Sequence, residues 1–192
     1  MSILTEKLPQ LVSIDGVEYP INTDFRVWLR FDELTQDAES IIRNFEKIIF
    51  LCVKKCALPE PEKLIRALIN FYRAEFDTEN EKKHSKSNTK EVQVFSYKYD
   101  AEYIYASFMS EYHIDLIDIP YMHWWKFHTL LKTLSEDSRL MKVIGYRSLN
   151  THDIKDRKMK KSYEKMKRLY ALPDMRSAGE KESEFAEALS KL

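Results

Sequence analysis

Three histidines, His113, His123 and His128, gather around the tryptophan pair Trp124-Trp125, and their chemistry has to be weighed first. Two imidazoles on one helix face a common metal when they stand three or four residues apart. His123 and His128 stand five apart, with no carboxylate between them in an H-E-x-x-H arrangement. A zinc site of that type is excluded, and the histidines read as the rim of an aromatic core. Two acid pairs, Asp115 with Asp118 and Glu136 with Asp137, have the residue type for acid–base hydrolysis. Both stand where helices are expected to begin, and carboxylates there meet unpaired backbone N–H groups. No serine has G-x-S-x-G surroundings, and 3 scattered glycines cannot build a phosphate-cradling loop. Cys52 and Cys56 share one face of a predicted helix and read as free, buried thiols that behave as small hydrophobes. The expectation is a non-enzymatic protein with no catalytic residue, metal, cofactor or small-molecule substrate.

The run DIKDRKMKKSYEKMKRLY, residues 153–170, carries eight Lys or Arg against three acids. Within it Met159, Tyr163, Met166 and Tyr170 fall on one helical stripe, flanked by Lys160 and Lys161. Such a stripe serves as a core-facing seam, as a base-stacking and phosphate-contacting face, or as a surface that docks an amphipathic helix of a partner. The whole chain has 31 bases and 31 acids, a formal net charge of zero. Nucleic-acid binders are usually basic overall, so a DNA-binding regulator working through this helix stands as the alternative and a protein partner as the first reading. No apolar run reaches the roughly 20 residues of a membrane-spanning helix, and no segment reads as a signal peptide.

The elements that position these residues are mainly helical. Few glycines argue against an all-β fold with many tight turns. Leu11–Ile14 and Val17–Ile21 around Asp15-Gly16 predict a β-hairpin over 11–21, because Asp-Gly supplies the positive φ of a two-residue turn. Helices follow at about 24–34, capped by Thr23 or Asp24, at 40–57, with Ile41, Ile42, Phe45, Ile48, Ile49, Cys52, Val53 and Cys56 facing the core, and at 61–76 behind Pro61. Residues 77–90 contain no apolar side chain and read as a mobile loop, dispensable for folding. Asp100 caps a helix to Tyr112; Asp118 and Pro120 open a helix to Leu134; Ser135 caps another that Gly145 ends; Asn150 or Thr151 caps the basic helix, which Pro173 follows. Trp124, Phe127, Leu131 and Leu134 form the apolar stripe of the tryptophan helix, so Trp124 is expected inside and Trp125 near a rim. The result is one mainly α domain, 1–173, of six or so helices with an N-terminal hairpin. The polar tail 174–192 has a faint amphipathic turn and helix formation there needs a partner.

The stretches DIPYMHWWKFHTLLKTL, KVIGYRSL and YEKMKRLYALP give the chain a resemblance. It resembles the bacteriophage "gene product fifteen" family of siphophage tail gene clusters, from the Asp15-Gly16 hairpin to Pro173. None of these motifs is a catalytic signature. The resemblance implies a role in tail morphogenesis, as an assembly chaperone that binds the tape-measure protein and other tail assembly proteins, with self-association left open. It further implies a place in the cytoplasm of the bacterial host and absence from the mature virion. A structural tail component is a third reading.

Overall fold

A computed structural model describes residues 5–54, 58–74, 93–151 and 154–173. The expected loop 77–90, the tail 174–192 and Cys56 lie outside the described residues. The fold is mainly α. A hairpin of β1 (Leu11–Ile14) and β2 (Val17–Pro20) precedes α1 (Phe25–Leu34), α2 (Ala38–Cys52), α3 (Pro61–Arg73), α4 (Ala101–Tyr112), α5 (Trp124–Lys132), α6 (Arg139–Ser148) and α7 (Arg157–Leu169). Asp15 and Gly16 have φ of 51° and 77°, the two positive values that a type I′ turn requires. Pro20 stands opposite Leu11 at the end of the ladder, where its missing N–H removes no hairpin bond. Pro61 occupies the first turn of α3.

The core is organised at the start of α5. The backbone of 122–124 runs extended against 23–25: Phe25 N–H donates to the Met122 carbonyl at 2.9 Å, and Trp124 N–H to the Thr23 carbonyl at 2.7 Å. Two helices thus begin side by side, each giving an otherwise unpaired N-terminal donor to the other's backbone. This pairing overrides the local start signal at Pro120, so α5 begins four residues later than its sequence suggests. Its N-cap is His123 and not Asp118: Nδ1 accepts from Trp125 N–H at 3.1 Å, and Nε2 meets the Pro9 carbonyl at 2.9 Å.

Trp124 is 0% and Trp125 7% exposed, so the expected division between an inner and a rim indole is corrected. Adjacent helical residues do diverge by about 100°, but α5 has protein on both sides. Trp124 Nε1 donates to the Tyr72 carbonyl at 2.7 Å and Trp125 Nε1 to the Phe71 carbonyl at 2.9 Å. These lie among the last carbonyls of α3; the Phe71 carbonyl also accepts the C-cap Ala74 N–H at 3.1 Å, so the Trp125 bond is its second. Phe127, Leu131 and Leu134 are buried with them. Phe127 stacks at 4.8 Å on Phe25, at 5.1 Å on Phe108 and at 5.7 Å on Trp124. Trp28 is fully buried from α1 and donates to the Asn22 carbonyl at 2.8 Å.

Three further boundaries differ from expectation. Ser138, not Ser135, caps α6 through Met141 N–H at 3.2 Å, because residues 135–138 form a turn closed by Ser138 N–H on the Ser135 carbonyl at 3.0 Å; Ser135 N–H itself donates to the Glu111 carboxylate at 3.0 Å. Gly145 lies inside α6, which continues to Ser148 and carries Arg147 into the interior. Asp156 caps α7 with bonds to Lys158 and Met159 N–H, in place of Asn150 or Thr151.

Burial pushes the His123 imidazole below its ordinary value, against a smaller opposing effect of the Pro9 carbonyl. Burial first, then Lys132, pushes His128 down to about 4. Unfolded histidine titrates near 6.5, so below that pH the unfolded chain binds more protons. The stability held by keeping these rings neutral is therefore present above about pH 6.5 and is lost as pH falls toward 4. Urea denaturation across this window is expected to show that decline, and His128→Gln to flatten it. Trp124→Ala is expected to cost about 3–5 kcal/mol in the same assay at neutral pH, since it opens the core and frees the Tyr72 carbonyl.

Candidate interaction surfaces

The basic helix α7 is a peripheral element with no buried residue. Part of its stripe is turned inward to α6. Tyr170 stacks on Tyr146 at 5.7 Å with the planes 9° apart, and Tyr163 lies 6.4 Å from the same ring. Tyr170 also meets Tyr103 edge-on, and its hydroxyl accepts from Arg139 at 2.9 Å. Met166 is half-buried, Met159 is 52% exposed, Lys160 is half-buried and Lys161 is exposed. The stripe read from sequence as one partner surface is therefore divided. Tyr163 and Tyr170 form the seam that holds α7 in place, while Met159 and Lys161 face solvent. The cause is the tyrosine at 146, which gives the α7 rings a flat apolar surface to cover.

Arg147 secures this arrangement from below. It makes a bidentate pair with Asp100, both contacts at 2.7 Å, with the two side chains 7% and 0% exposed. The same guanidinium donates to the Val94 carbonyl at 3.0 Å and to the Tyr170 carbonyl at 2.5 Å. Asp100 also accepts Ser96 N–H at 3.0 Å. It holds the N-cap position of α4, as expected, but its carboxylate caps no α4 N–H. One arginine thus ties α6 to the start of α4, the 93–96 segment and the end of α7.

A second surface lies on α2. Its eight apolar positions were expected to face the core, yet within the helix only Ile48 and Cys52 are buried. Phe50 is 92% and Ile42 78% exposed. Between α1 and α2 runs a groove floored by Leu34 and Leu51 and edged by Arg30, Glu33, Glu46 and Lys47. The repeat at three and four was read as one broad stripe, but α2 is docked along a narrow one. Ile41, Ile49 and Leu51 pack half-buried at its margins, and Ile42 and Phe50 are left facing water. Cys52 is fully enclosed and burial pushes its thiol up to about 12, which keeps it protonated and unreactive.

The remaining chemical candidates take structural places. Asp115 accepts Ile117 and Asp118 N–H, which hold its carboxyl below the usual range, and turns the 115–118 segment. Asp137 pairs with Lys142 at the surface. Among the described residues no group of three or more His, Cys, Asp or Glu is placed to hold a metal. No described helix is long and apolar enough to cross a membrane. The family model for the bacteriophage Gp15 protein matches residues 4–172. The chain belongs to that family. No curated protein and no solved structure matches it. The matched span takes in both surfaces, the Trp124-Trp125 pair and the Asp100–Arg147 ion pair.

Sequence reading missed Arg147, Asp100 and Phe50 as positions of consequence. Asp100 resembled any cap, and a pair 47 residues apart leaves no periodic trace. Phe50 had a signal: it lies off the Ile41–Ile48–Cys52 line, and a large aromatic off the buried stripe is the one to suspect. Arg147→Ala leaves Asp100 buried without its partner and is expected to cost about 3–5 kcal/mol. It should also expose the 157–170 helix to limited proteolysis. Urea melts and trypsin digestion of the variant check both effects.

Proposed function

We propose that this phage protein is a non-enzymatic tail assembly chaperone that holds an apolar helical face of the tape-measure protein. The observation that carries the reading is Phe50, 92% exposed in the lining of the α1–α2 groove, with Ile42 exposed about two turns earlier on the same helix. Large apolar side chains clustered on a surface mark a place of association. A groove between two helices with an aromatic at its edge suits an amphipathic helix, whose apolar residues enter while its charges meet the rim. Arg30 and Lys47 alternate there with Glu33 and Glu46, so the rim suits a partner helix carrying both charges. Tape-measure chains are long and helical, and their apolar faces need cover until tail-tube subunits enclose them. The exposed remainder of α7, with Met159 and Lys161, supplies a second contact, its bases raising the association rate more than the affinity. On this reading the protein acts in the host cytoplasm and leaves before the virion is complete. The basic outer face of α7 is the observation that favours the second reading, a DNA-binding regulator.

The test is Phe50→Asp combined with Ile42→Asp. Both side chains are exposed, so helical circular dichroism and melting temperature should stay near those of the parent protein. Co-purification with the tape-measure protein should be lost. Retained co-purification by the folded variant rejects this surface. Strongly salt-dependent binding to duplex DNA, with no tape-measure binding by the parent protein, supports the regulator instead.

A further inference from the structure

Among the described residues the hairpin presents an unused strand edge. A two-residue turn makes Ile14 and Val17 a hydrogen-bonded pair, and alternation makes Val12 and Tyr19 the next. The bond from Ile21 N–H to the Gln10 carbonyl at 3.1 Å continues the same alternation. Leu11 and Ser13 therefore occupy the intervening positions, with their N–H and C=O groups directed away from β2. Among the described residues none of these four groups has a hydrogen-bond partner. The opposite edge differs: the Pro20 carbonyl accepts Lys54 N–H at 3.0 Å, and Asn22 N–H donates to the Cys52 carbonyl at 2.8 Å.

The open edge borders a groove of about 600 Å³ between β1 and α3, with Phe71 and Trp125 in its lining. Its charges are already matched. Lys63 reaches Asp15 at 2.8 Å and Glu60 at 3.4 Å, and Arg66 reaches Glu62 at 2.8 Å. What stays unmatched is backbone, two donors and two acceptors at strand spacing, over an apolar floor that Val12 and Ile14 extend.

We propose that this groove takes one extended segment of a partner protein, added antiparallel to β1. The ligand is a strand with apolar residues at alternate positions. Those residues face the floor beside Val12 and Ile14, and the residues between them exchange backbone bonds with Leu11 and Ser13. A second copy suits the site less well, because its β1 brings its own β2 with it and needs the width of two strands beside α3, whose residues share the groove's lining. The proposal concerns a different face from the α1–α2 groove and does not depend on the tape-measure reading.

The probe is the full chain, ¹⁵N-labelled, titrated with the peptide acetyl-Lys-Thr-Val-Thr-Val-Thr-Lys-amide. Two controls carry N-methyl groups, one on the threonines and one on the valines. In antiparallel addition the threonine N–H groups face β1 and the valine N–H groups face away. Saturable shifts confined to the hairpin and the α3 wall are expected with the parent peptide and the valine-methylated control, together with slowed exchange of the Leu11 and Ser13 amides. The threonine-methylated control should not bind. Ser13→Pro removes an edge donor without removing a hairpin bond and should weaken binding about tenfold, the loss of roughly one hydrogen bond. Ala67→Trp, which fills the groove from α3, should abolish it with the hairpin untouched. Absence of binding overturns the proposal, as does equal binding by the threonine-methylated control. Leu11 and Ser13 amides already protected in the free monomer would show that the chain covers its own edge. Protection that grows with protein concentration would assign the edge to a second copy. Either result rejects a partner strand.

Discussion

Two consecutive indoles closing the end of another helix are the contact on which the rest of this fold depends. The last carbonyls of a helix lack the usual i+4 donor, and leaving such a group dry and unpaired costs about 1–3 kcal/mol; at the end of α3 the Ala74 N–H covers only the Phe71 carbonyl, at 3.1 Å. Trp124 and Trp125 supply N–H donors to two successive carbonyls, Tyr72 and Phe71, while their ring surfaces fill the space between α1, α3 and α5. The positive N-terminus of α5 thereby approaches the negative C-terminus of α3, an arrangement that the helix dipoles favour. The same turn is tied to the start of α1 through backbone bonds on both sides of the Asp24–His123 bridge. The hairpin is tied in through His123 and the Pro9 carbonyl. The hairpin and three of the helices meet within a few residues of the tryptophan pair.

The other half of the molecule, α4, α6 and α7, is held by a different kind of contact. Arg147 and Asp100 are desolvated together, and such a pair fixes geometry more than it adds net stability. Its effect is directional: the guanidinium fork reaches three segments at set angles, and α7 takes its position from the Tyr170 carbonyl at the end of that fork. α7 therefore rests on α6 by a tyrosine stack and a few hydrogen bonds, without burying a residue of its own. A helix held in this way can shift or release with little disturbance to the core, which suits an element that meets a partner.

Much of the architecture was legible in the chain, for reasons that differ element by element. Asp15-Gly16 encodes a type I′ turn locally, so the hairpin could be placed to the residue. Pro61 and Asp24 act within one helical turn, and α3 and α1 begin where they suggest. Pro120, Ser135 and Gly145 gave equally clear local signals and were overruled: Pro120 by the strand-like pairing of 122–124 with 23–25, Ser135 by the turn that Ser138 N–H closes on its carbonyl, and Gly145 by the reach of Arg147 to Asp100. The division of the α7 stripe was hidden too, since periodicity shows which residues share a face but not which neighbour covers it. Phe50 and Ile42 show the converse limit. A residue's apolarity predicts burial only where there is enough neighbouring surface to cover it, and α2 lies at the edge of the bundle.

Exchange of the indole protons measures the central contact directly. In ¹⁵N spectra of the tryptophan-labelled protein in deuterated solvent, the Nε1–H signals of Trp124 and Trp125 should decay together. Their rate should match global unfolding, because neither hydrogen bond can open without separating α5 from α3. A Trp125 signal that exchanges orders of magnitude faster than that of Trp124, through a local opening, would contradict the account and return Trp125 to the rim of the core.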